Sequence, residues 1–538
     1  MTPTPLLSLR GLHVSYSTRS GPVHAVRGVD LDIAPGEIVA LVGESGSGKS
    51  TTAHAVTGLL PPGGRIDAGQ ILFSGQDLAT LSEKKLRAVR GTRIGLVPQD
   101  PAVSLNPVQR IGPQVAEVLR IHRLATRRAA RERTLELLAR AGLPDPHTQA
   151  DRYPHELSGG MRQRALIAVA LAGEPRLIIA DEPTSALDVT VQKGILDHLQ
   201  TLARTSGTAV LLVTHDLGVA ADRAARIAVM SEGVIVECAP VARLFDAPNA
   251  PYTRHLLHSA PRLDAPPIAP PPARDRPPIL EAEHLTKDFP LPRSAGGERT
   301  LRAVDDVGIT VHRGETVALV GESGSGKSTT ARLILRLTPP TAGRILLDGE
   351  DLTDARGARL RTLRRRVQFV YQNPYGSLDP RLTVGDIVGE PLRAFRVGDR
   401  AGRAARVAGL LDRVALPASA LRRRPAELSG GQRQRVAIAR ALALSPDLVV
   451  CDEPVSALDV SVQAQILRLL AQLQADTGVA YLFVSHDLAV VRQIAHHVVV
   501  MRAGRVVESA PADDLFRAPA HPYTRGLLAA VPGRERAG

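Results

Sequence analysis

The stretch "ALVGESGSGKSTTA" at residues 40–53 returns letter for letter at residues 318–331. Both copies match the pattern G-x-x-x-x-G-K-[ST], whose glycines let successive backbone N–H groups point inward at a phosphate. Each copy follows a short apolar run, "EIVALV" at residues 37–42 in the first, and continues into a helical pattern. This strand–loop–helix context, found twice, argues against a chance glycine-rich turn. The sequence therefore predicts two phosphate-binding loops in an α/β fold.

Five further pairs of segments accompany the loops, in the same order in both halves. They are "VPQDP" at 97–101 with "VYQNP" at 370–374, "ELSGGMRQR" at 156–164 with "ELSGGQRQR" at 427–435, "DEPTSALDVTVQ" at 181–192 with "DEPVSALDVSVQ" at 452–463, "VTHDL" at 213–217 with "VSHDL" at 484–488, and "PYTR" at 251–254 with "PYTR" at 522–525. Every pair from "ELSGG" onward keeps one constant separation, so changes of length are confined to the part before it. This repetition predicts two homologous domains, 1–260 and 279–538, joined by a stiff proline-rich linker at 261–278.

Length and composition are those of a folded, multi-domain protein. The chain has 538 residues, of which 44% are apolar and 22% charged. No apolar run approaches the ~18 residues that span a bilayer, and the opening "MTPTPLLSLR" lacks a signal-peptide pattern. We therefore expect the protein to be made and kept in the cytoplasm. Cys238 and Cys451 lie in apolar, strand-like runs, which predicts two buried thiols rather than a disulfide or a metal site.

The chain is strongly basic, with a net charge of +13 and a pI near 10.3. This balance fits an anionic partner such as a nucleic acid, a membrane surface or a nucleotide, although a solvated surface rich in arginine explains it equally. Aromatic residues make up only 3% of the chain and tryptophan is absent, so platforms for stacking bases are scarce. We predict no nucleic-acid partner. Lys49 and Lys327 are kept as lysine where a compact charge for phosphate is needed.

Polar residues near the loops predict the chemistry of phosphoryl transfer. Each half supplies the same set in the same order: the phosphate lysines Lys49 and Lys327, the magnesium serines Ser50 and Ser328, the magnesium aspartates Asp181 and Asp452, the glutamates Glu182 and Glu453, and the histidines His215 and His486. The aspartates end apolar strands, and each following glutamate could polarise an attacking water, although such pairs also serve as N-caps or surface pairs. A lone histidine is usually structural, but repetition at the polar end of a strand favours contact with the γ-phosphate.

The segment "LSGG" at 157–160 and 428–431 is either a turn or a helix start whose serine and glycine N–H groups bind a second anion. The order of P-loop, glutamine, "LSGG", "DEP.SALD" and histidine closely resembles the ATP-binding cassette (ABC) ATPase family, in both halves. The resemblance implies two tandem P-loop NTPase domains, each with a RecA-like core, an antiparallel β subdomain and a helical subdomain. It also implies ATP and Mg²⁺ as cofactors.

In that family two cassettes pair head to tail, so that the loop of one and the "LSGG" serine of the other hold one ATP. Pairing within this chain would let Ser429 and Gly431 close the first loop, and Ser158 and Gly160 the second. The ATP-binding residues that the resemblance implies are Gly43, Glu44, Ser45, Gly46, Ser47, Gly48, Lys49, Ser50, Thr51, Gly321, Glu322, Ser323, Gly324, Ser325, Gly326, Lys327, Ser328, Thr329, Ser158, Gly159, Gly160, Ser429, Gly430 and Gly431. The resemblance adds four more residues, the magnesium ligands Gln99 and Gln372 and the adenine-stacking aromatics Tyr16 and Phe289, the last two of which could equally be core residues.

One departure from the family pattern is visible. Met161 stands where the family usually has the glutamine that Gln432 supplies in the second half. Because the serine and glycine N–H groups make the anion contacts, we expect Met161 to be tolerated. Both Glu182 and Glu453 are retained, and the sequence therefore predicts two hydrolytic sites.

Two further pairs of segments resemble the dipeptide/oligopeptide/nickel importer subfamily. They are "QDPAVSLNP" at 99–107 with "QNPYGSLDP" at 372–380, and "LFDAPNAPYTRHLL" at 244–257 with "LFRAPAHPYTRGLL" at 515–528. The resemblance implies a peripheral protein on the cytoplasmic face of the inner membrane and an extracytoplasmic solute-binding protein. It also implies two transmembrane permease subunits that dock on the helical insert, at 114–143 in the first half, and on the glutamine loop. Peptides lead as the class of solute, with nickel and glutathione-like compounds as alternatives.

Two other classes of tandem cassette are alternatives. A soluble ATPase acting on ribosomes or DNA would suit the high pI, but the long charged linker, coiled-coil insert and zinc cysteines of such proteins are missing from the sequence. An exporter's ATPase usually carries its own membrane helices or lacks the "SLNP" and "PYT" segments. The cysteine-bearing tail that single-cassette importers often have is missing from both halves.

Overall fold

A computed structural model describes residues 4–18, 21–185, 187–268, 276–290, 300–456 and 458–533. Its internal contacts divide the chain into unit 1, Met1–Ala260 with Pro532–Gly538, and unit 2, Pro261–Val531. Residues 269–275 of the predicted linker lie outside the described residues, as does one alanine of each "SALD" segment, Ala186 and Ala457.

Unit 1 contains two sheets. Its strands are β1 (Leu7–Thr18), β2 (Gly21–Ile33), β3 (Ile38–Val42), β4 (Gly64–Phe73), β5 (Gln76–Asp77), β6 (Ile94–Val97), β7 (Leu177–Asp181), β8 (Ala209–Thr214), β9 (Arg226–Ser231) and β10 (Val234–Pro240). An antiparallel sheet has the order β2-β1-β4-β5, and a larger sheet has the order β10-β9-β3-β8-β7-β6. In the larger sheet β10 is antiparallel to β9 and the other pairings are parallel. The parallel strands therefore bring their carboxyl ends to one edge, where ligands of such sheets bind.

The helices of unit 1 flank this edge and form a separate helical region. They are α1 (Lys49–Thr57), α2 (Glu83–Val89), α3 (Pro101–Ser104), α4 (Ile111–Ile121), α5 (Arg127–Arg140), α6 (Pro146–Ala150), α7 (Gly159–Leu171), α8 (Val189–Ser206), α9 (Leu217–Arg223), α10 (Val241–Asp246) and α11 (Pro251–Ser259). The helical pattern at 114–143 corresponds to α4 and α5. None of the described helices, in either unit, combines the length and apolar character that crossing a bilayer requires.

Unit 2 repeats this arrangement. Its strands are β11 (Pro278–Pro290), β12 (Thr300–His312), β13 (Thr316–Val320), β14 (Ala342–Leu347), β15 (Glu350–Asp351), β16 (Val367–Val370), β17 (Leu448–Asp452), β18 (Ala480–Val484), β19 (His497–Arg502) and β20 (Arg505–Pro511), in sheets of order β12-β11-β14-β15 and β16-β17-β18-β13-β19-β20. Its helices are α12 (Lys327–Ile334), α13 (Gly357–Arg366), α14 (Pro374–Ser377), α15 (Val384–Ala394), α16 (Arg400–Arg413), α17 (Gly430–Leu442), α18 (Val460–Thr477), α19 (Leu488–Ile494), α20 (Ala512–Arg517) and α21 (Pro522–Ala529).

The larger sheet is buried on both faces, which explains its continuous apolar strands. In β7 the neighbouring residues Ile178 and Ile179 point to opposite faces. Ile179 packs in a core with Phe73 of the antiparallel sheet, whereas Ile178 packs in a core with Leu138 of α5. Burying each such side chain contributes about 1.5–3 kcal/mol. The sheet is thereby clamped between the antiparallel sheet and the helices, and its polar strand ends are held rigidly.

One expectation about the thiols is wrong. Cys451 on β17 is buried, and burial raises the pKa of its thiol. Cys238 is free and exposed, although its neighbours Glu237 and Ala239 are buried. Because β10 is the antiparallel edge strand of its sheet, alternate side chains face solvent. The apolar run around Cys238 did not reveal this alternation.

Candidate nucleotide site

The phosphate-binding loop of each unit joins a buried strand to a helix. In unit 1 it follows β3, and α1 begins at Lys49. Gly48 has φ +103°, and a Cβ there would lie 2.3 Å from the carbonyl oxygen of Ala25. Gly326 repeats this with φ +102° and 2.6 Å to the oxygen of Ala303. Only glycine therefore fits at the position just before the loop lysine.

The lysine of each loop donates hydrogen bonds to carbonyl oxygens of the same loop. Lys49 Nζ donates to the carbonyl oxygens of Gly43 and Glu44, both at 2.8 Å. In unit 2 Lys327 Nζ makes the same two bonds, to Gly321 at 2.8 Å and to Glu322 at 2.7 Å. Both lysines are buried. Each ammonium group is thus fixed by carbonyl oxygens of its own loop, which phosphate oxygens can replace.

A serine and an aspartate come together beside each loop. Ser50 Oγ donates to Asp181 Oδ1 at 3.1 Å, and Ser328 Oγ donates to Asp452 Oδ1 at 3.1 Å. Burial raises the pKa of both aspartates, and the serine hydrogen bonds offset only part of this effect. A nearby cation would favour the ionised carboxylate. A hydroxyl and a carboxylate oxygen at this separation fit Mg²⁺, which prefers oxygen ligands.

The glutamate after each aspartate is held by two neighbours. Gln99 Nε2 donates to Glu182 Oε2 at 2.9 Å, and His215 Nδ1 lies 3.1 Å from Glu182 Oε1. Burial favours a higher pKa for Glu182, but the hydrogen bond and charge of His215, together with Lys49 and Gln99, outweigh it and hold the pKa below its usual value. An ionised carboxylate at this position can accept a proton from water.

Unit 2 builds the same triad. Gln372 Nε2 donates to Glu453 Oε2 at 2.8 Å, and His486 Nδ1 lies 3.0 Å from Glu453 Oε1. The pKa of Glu453 is also lowered, because His486 outweighs the opposing effect of burial. Glu182 and Glu453 have φ of +44° and +47°, which side chains other than glycine rarely adopt. Such backbone strain concentrates at functional sites.

The "LSGG" residues open helices α7 and α17. Ser158 Oγ accepts from the N–H of Met161 at 3.3 Å, and Ser429 Oγ accepts from the N–H of Gln432 at 3.3 Å. In unit 2 Gln432 Oε1 also accepts from the N–H of Ser429 at 3.1 Å, which completes a reciprocal capping box. Met161 has no acceptor for this second bond.

The second glycine of the signature packs closely against the next long helix. A Cβ on Gly160 would lie 2.4 Å from Val191 of α8, and a Cβ on Gly431 would lie 2.4 Å from Val462 of α18. The first glycines, Gly159 and Gly430, begin the helices. The signature serines and their following N–H groups are therefore presented at rigidly packed helix starts.

The two aromatic candidates have different surroundings. The hydroxyl of Tyr16 lies 3.3 Å from Thr51 Oγ1, which places the tyrosine next to the loop helix of unit 1. Phe289 is 37% exposed, and Lys287 Nζ lies 5.3 Å from the centre of its ring. Adenine stacking on either ring stays a prediction.

Sequence reasoning missed a contact between each "PYT" segment and its loop. The hydroxyl of Tyr252 accepts from the N–H of Glu44 at 3.3 Å, and that of Tyr523 accepts from the N–H of Glu322 at 3.1 Å. The only signal in the sequence is the repeated "PYTR". Each tyrosine therefore braces the outer edge of a phosphate loop.

A carboxylate in each unit fixes the helix that carries its tyrosine. Glu237 accepts from the N–H groups of Asn249 and Ala250 at 2.9 and 3.0 Å, at the start of α11. Glu508 accepts from Ala520 and His521 at 2.7 and 3.0 Å, at the start of α21. These bonds satisfy backbone donors that a helix start leaves open.

Comparison with known proteins agrees with this geometry. Residues 26–185 and 304–456 match the family "ABC transporter", and residues 236–287 and 507–537 match "Oligopeptide/dipeptide transporter, C-terminal region". The "Peptidoglycan transport ATP-binding protein YejF" of Agrobacterium fabrum is 47% identical over 98% of this chain and 96% of its own. The "Glutathione import ATP-binding protein GsiA" is 46% identical in Pectobacterium atrosepticum, over 98% of this chain and 89% of its own, and 44% identical in Escherichia coli, over 98% and 90%.

A solved dimeric ATP-binding cassette in a post-hydrolysis state, bound to ADP and Pi, aligns with 44% of this chain and 98% of its own at 31% identity and a TM-score of 0.41. Both phosphate loops lie within family matches, and relatives 44–47% identical span nearly the whole chain. The protein therefore belongs to the ABC transporter family and is an ATP-binding ATPase with two tandem cassettes.

Proposed function

We propose that the chain hydrolyses ATP at two composite sites to energise the import of peptides or related solutes through two separate permease subunits. The observation that carries this proposal is the pairing of two complete cassettes with two oligopeptide/dipeptide C-terminal regions in one chain. Relatives of nearly the same length are named for import of glutathione and transport of peptidoglycan. Peptide-like solutes are the chemistry that these names share.

Each composite site combines a loop cluster with the signature of the other half. Ser429 and Gly431 close the cluster around Lys49, and Ser158 and Gly160 close the cluster around Lys327. Because each ATP then contacts both halves, its binding draws them together. The cassettes are residues 1–260 and 279–538, with the linker at 261–278 joining them.

Mg²⁺ would be held by Ser50, Asp181 and Gln99 in the first site, and would neutralise charge on the β- and γ-phosphates. The matching residues of the second site are Ser328, Asp452 and Gln372. Glu182 and Glu453 position water and accept its proton, while His215 and His486 hold the glutamate and contact the γ-phosphate. Tyr16 and Phe289 lie against adenine.

The permeases bind the helical region that contains α4 and α5, on the cytoplasmic face of the inner membrane. A solute-binding protein outside that membrane delivers the solute, and nucleic acid is not a partner. Closure and reopening of the cassettes would then switch the permeases between outward and inward access.

Purification of the tagged full-length chain from solubilised membranes of its own host tests this proposal. We expect two hydrophobic proteins in stoichiometric amounts, and loss of uptake of labelled di- and tripeptides when the chain is deleted. A Glu182→Gln, Glu453→Gln double variant should pull down the same two proteins without restoring uptake. Recovery of ribosomes or DNA without hydrophobic partners would overturn the importer assignment in favour of the soluble class.

A further inference from the structure

In unit 1 the guanidinium group of Arg226 is surrounded by hydrogen-bond acceptors. Arg226, the first residue of β9, donates to both carboxylate oxygens of Glu37, at 2.7 and 3.1 Å, and to the carbonyl oxygen of Asp32 at 2.7 Å. Its Nη1 lies 3.8 Å from Cys238 Sγ on β10. The side chain thereby links the end of β2, the start of β3 and the edge strands of the larger sheet. Bidentate pairing with a carboxylate is the strongest geometry open to a guanidinium.

Unit 2 keeps the acceptors of this position but not the guanidinium. The alignment that matches the two phosphate loops puts Glu315 at the place of Glu37 and Thr310 at the place of Asp32. Local structure supports the match, because Glu37 Oε2 accepts from the N–H of Ala34 at 2.8 Å and Glu315 Oε2 accepts from the N–H of His312 at 2.8 Å.

The arginine itself is replaced. The alignment that matches the "DEP" segments puts His497, the first residue of β19, at the place of Arg226, and Ser509 at the place of Cys238. His497 Nε2 lies 2.8 Å from Ser509 Oγ, so the imidazole turns toward the edge strand. Burial lowers the pKa of His497, and the ring therefore does not replace the positive charge at neutral pH.

The shorter side chain leaves a cavity of about 540 Å³ in unit 2. Its lining residues include the carboxylates of Glu283, Asp306 and Glu315 and the imidazole of His497, and none of the described lining residues is lysine or arginine. Glu315 is only 9% exposed, and no ion pair to it is found within the described ranges. A mostly buried carboxylate is stabilised by a cationic partner, and the cavity is open to one from outside.

A metal ion does not suit these residues. No cluster of three or more histidine, cysteine or carboxylate side chains in the described part of the chain is arranged to hold one. The exposed imidazole of His284 is engaged by Asp306, with 2.6 Å between Nδ1 and Oδ1. A planar organic cation instead matches the acceptors that Arg226 uses in unit 1.

We propose that the cavity of unit 2 binds a small guanidinium-bearing molecule, whose guanidinium takes the position that Arg226 occupies in unit 1. The carboxylate of Glu315 accepts two of its N–H groups, and the carbonyl oxygen of Thr310 and the hydroxyl of Ser509 accept others. Asp306 and Glu283, both exposed residues of the lining, attract a second positive charge. The volume is more than large enough for a molecule the size of arginine or agmatine.

Calorimetric titration of the full-length chain with agmatine tests the proposal, with putrescine at equal ionic strength as the cation that lacks a guanidinium. We expect one agmatine per chain and binding of putrescine at least about tenfold weaker, since an ammonium group cannot pair with the carboxylate through two N–H groups. Absence of agmatine binding, or equal binding of putrescine, would overturn the proposal.

Exchanging the two residues supplies matched controls. His497→Arg gives unit 2 its own guanidinium and should abolish agmatine binding without lowering the melting temperature. Arg226→His opens the same cavity in unit 1 and should raise the stoichiometry to two. If the Arg226→His variant fails to fold, agmatine binding by the His497→Arg variant alone tests the proposal. Unchanged agmatine binding in His497→Arg places the ligand elsewhere and contradicts the assignment.

Discussion

Units 1 and 2 have nearly the same geometry where phosphoryl transfer takes place. The serine hydroxyl and the aspartate oxygen are 3.1 Å apart in both, and the glutamate lies within 2.8–2.9 Å of its glutamine and 3.0–3.1 Å of its histidine. Even the unusual positive φ of the glutamate differs by only a few degrees between units. The chemistry tolerates little variation, because reacting groups act only at hydrogen-bond distance.

Around these clusters the units diverge. Gln432 completes a capping box in unit 2, whereas Met161 leaves its counterpart incomplete in unit 1. Arg502 lies 4.9 Å from the ring of Tyr523, whereas the residue at its place in unit 1 is Ser231. The comparison shows that two copies of one fold can keep their reaction geometry while their supporting contacts change. The following predictions test whether the sites are as equivalent as their geometry.

The largest effect is expected from the glutamates. Glu182→Gln or Glu453→Gln removes the carboxylate that accepts a proton, and the double variant should lose about 100-fold or more in ATP turnover. Each single variant should lose at least about half, since each disables one of two sites. Steady-state phosphate release measures turnover, and binding of a fluorescent ATP analogue serves as the control for an intact site. If one single variant turns over at the wild-type rate, the cassette that carries it is not hydrolytic.

The tyrosine braces should have the next largest effect. Tyr252→Phe and Tyr523→Phe each remove one hydrogen bond to a loop N–H, which should raise the KM for ATP about 2- to 10-fold with little change in kcat. Because the ring is kept, the melting temperature should stay at the wild-type value. A fall in melting temperature with an unchanged KM would show that the tyrosines only stabilise the fold.

The cation near Tyr523 has no counterpart in unit 1. Arg502→Ala should weaken nucleotide binding in unit 2, whereas Ser231→Ala at the matching position of unit 1 should have no effect. Equal effects of the two variants would contradict a role for the arginine in bracing the loop.

Exchanging the residues at positions 161 and 432 should change the stability of the two units in opposite directions. Met161→Gln offers unit 1 the acceptor that Gln432 supplies in unit 2 and should stabilise it by about 0.5–1 kcal/mol, while Gln432→Met should destabilise unit 2 by a similar amount. Thermal unfolding monitored by circular dichroism measures both changes. Shifts of the same sign would mean that the capping box is not the relevant difference.

A small pH effect is expected from the pair Glu182 and His215. Partial burial opposes the charge on His215, but the hydrogen bond and charge of Glu182 outweigh it and raise the pKa of His215. The contribution of His215 to the free energy of unfolding is therefore complete below the ordinary histidine pKa near 6.5, and it is lost as pH rises through the raised pKa. The pKa of Glu182 is lowered, so its contribution to the free energy of unfolding is complete above pH about 4.3, the ordinary pKa of glutamate. This contribution is lost as pH falls through the lowered pKa. The pair therefore stabilises the fold most between pH about 4.3 and pH about 6.5.

The difference in melting temperature between the wild type and His215→Gln should consequently be larger near pH 6 than near pH 8.5. The His215 side chain is 39% exposed, so solvent screening keeps the effect small. A difference that does not vary with pH would show that the pair makes no ionic contribution.

Local patterns were sufficient to predict the strand before each phosphate loop, the loops themselves and the ends of β7 and β17. A buried parallel strand reads as a continuous apolar run, and the residue after it meets the carboxyl ends of its neighbours. Patterns within a few neighbouring residues did not reveal the hydrogen bond between Tyr252 and Glu44, because these residues are 208 positions apart. The cavity beside Glu315 was equally hidden, because its lining combines residues from strands far apart in the chain, including His497 where unit 1 has an arginine. The exposure of Cys238 depends on which strand lies at the sheet edge.

The bond from Tyr252 to the loop has a consequence for the order of synthesis. The loop at 43–50 leaves the ribosome 208 residues ahead of the tyrosine that braces it, an interval of roughly 10–40 s at the usual speed of translation. A nascent unit 1 therefore carries an unbraced loop until its last helix emerges. Unit 2 repeats the delay over 201 residues. The two loops should thus be braced in two steps as the chain grows, each timed by the arrival of a tyrosine, whereas ATP binding with mature affinity waits until both halves of the composite sites are made.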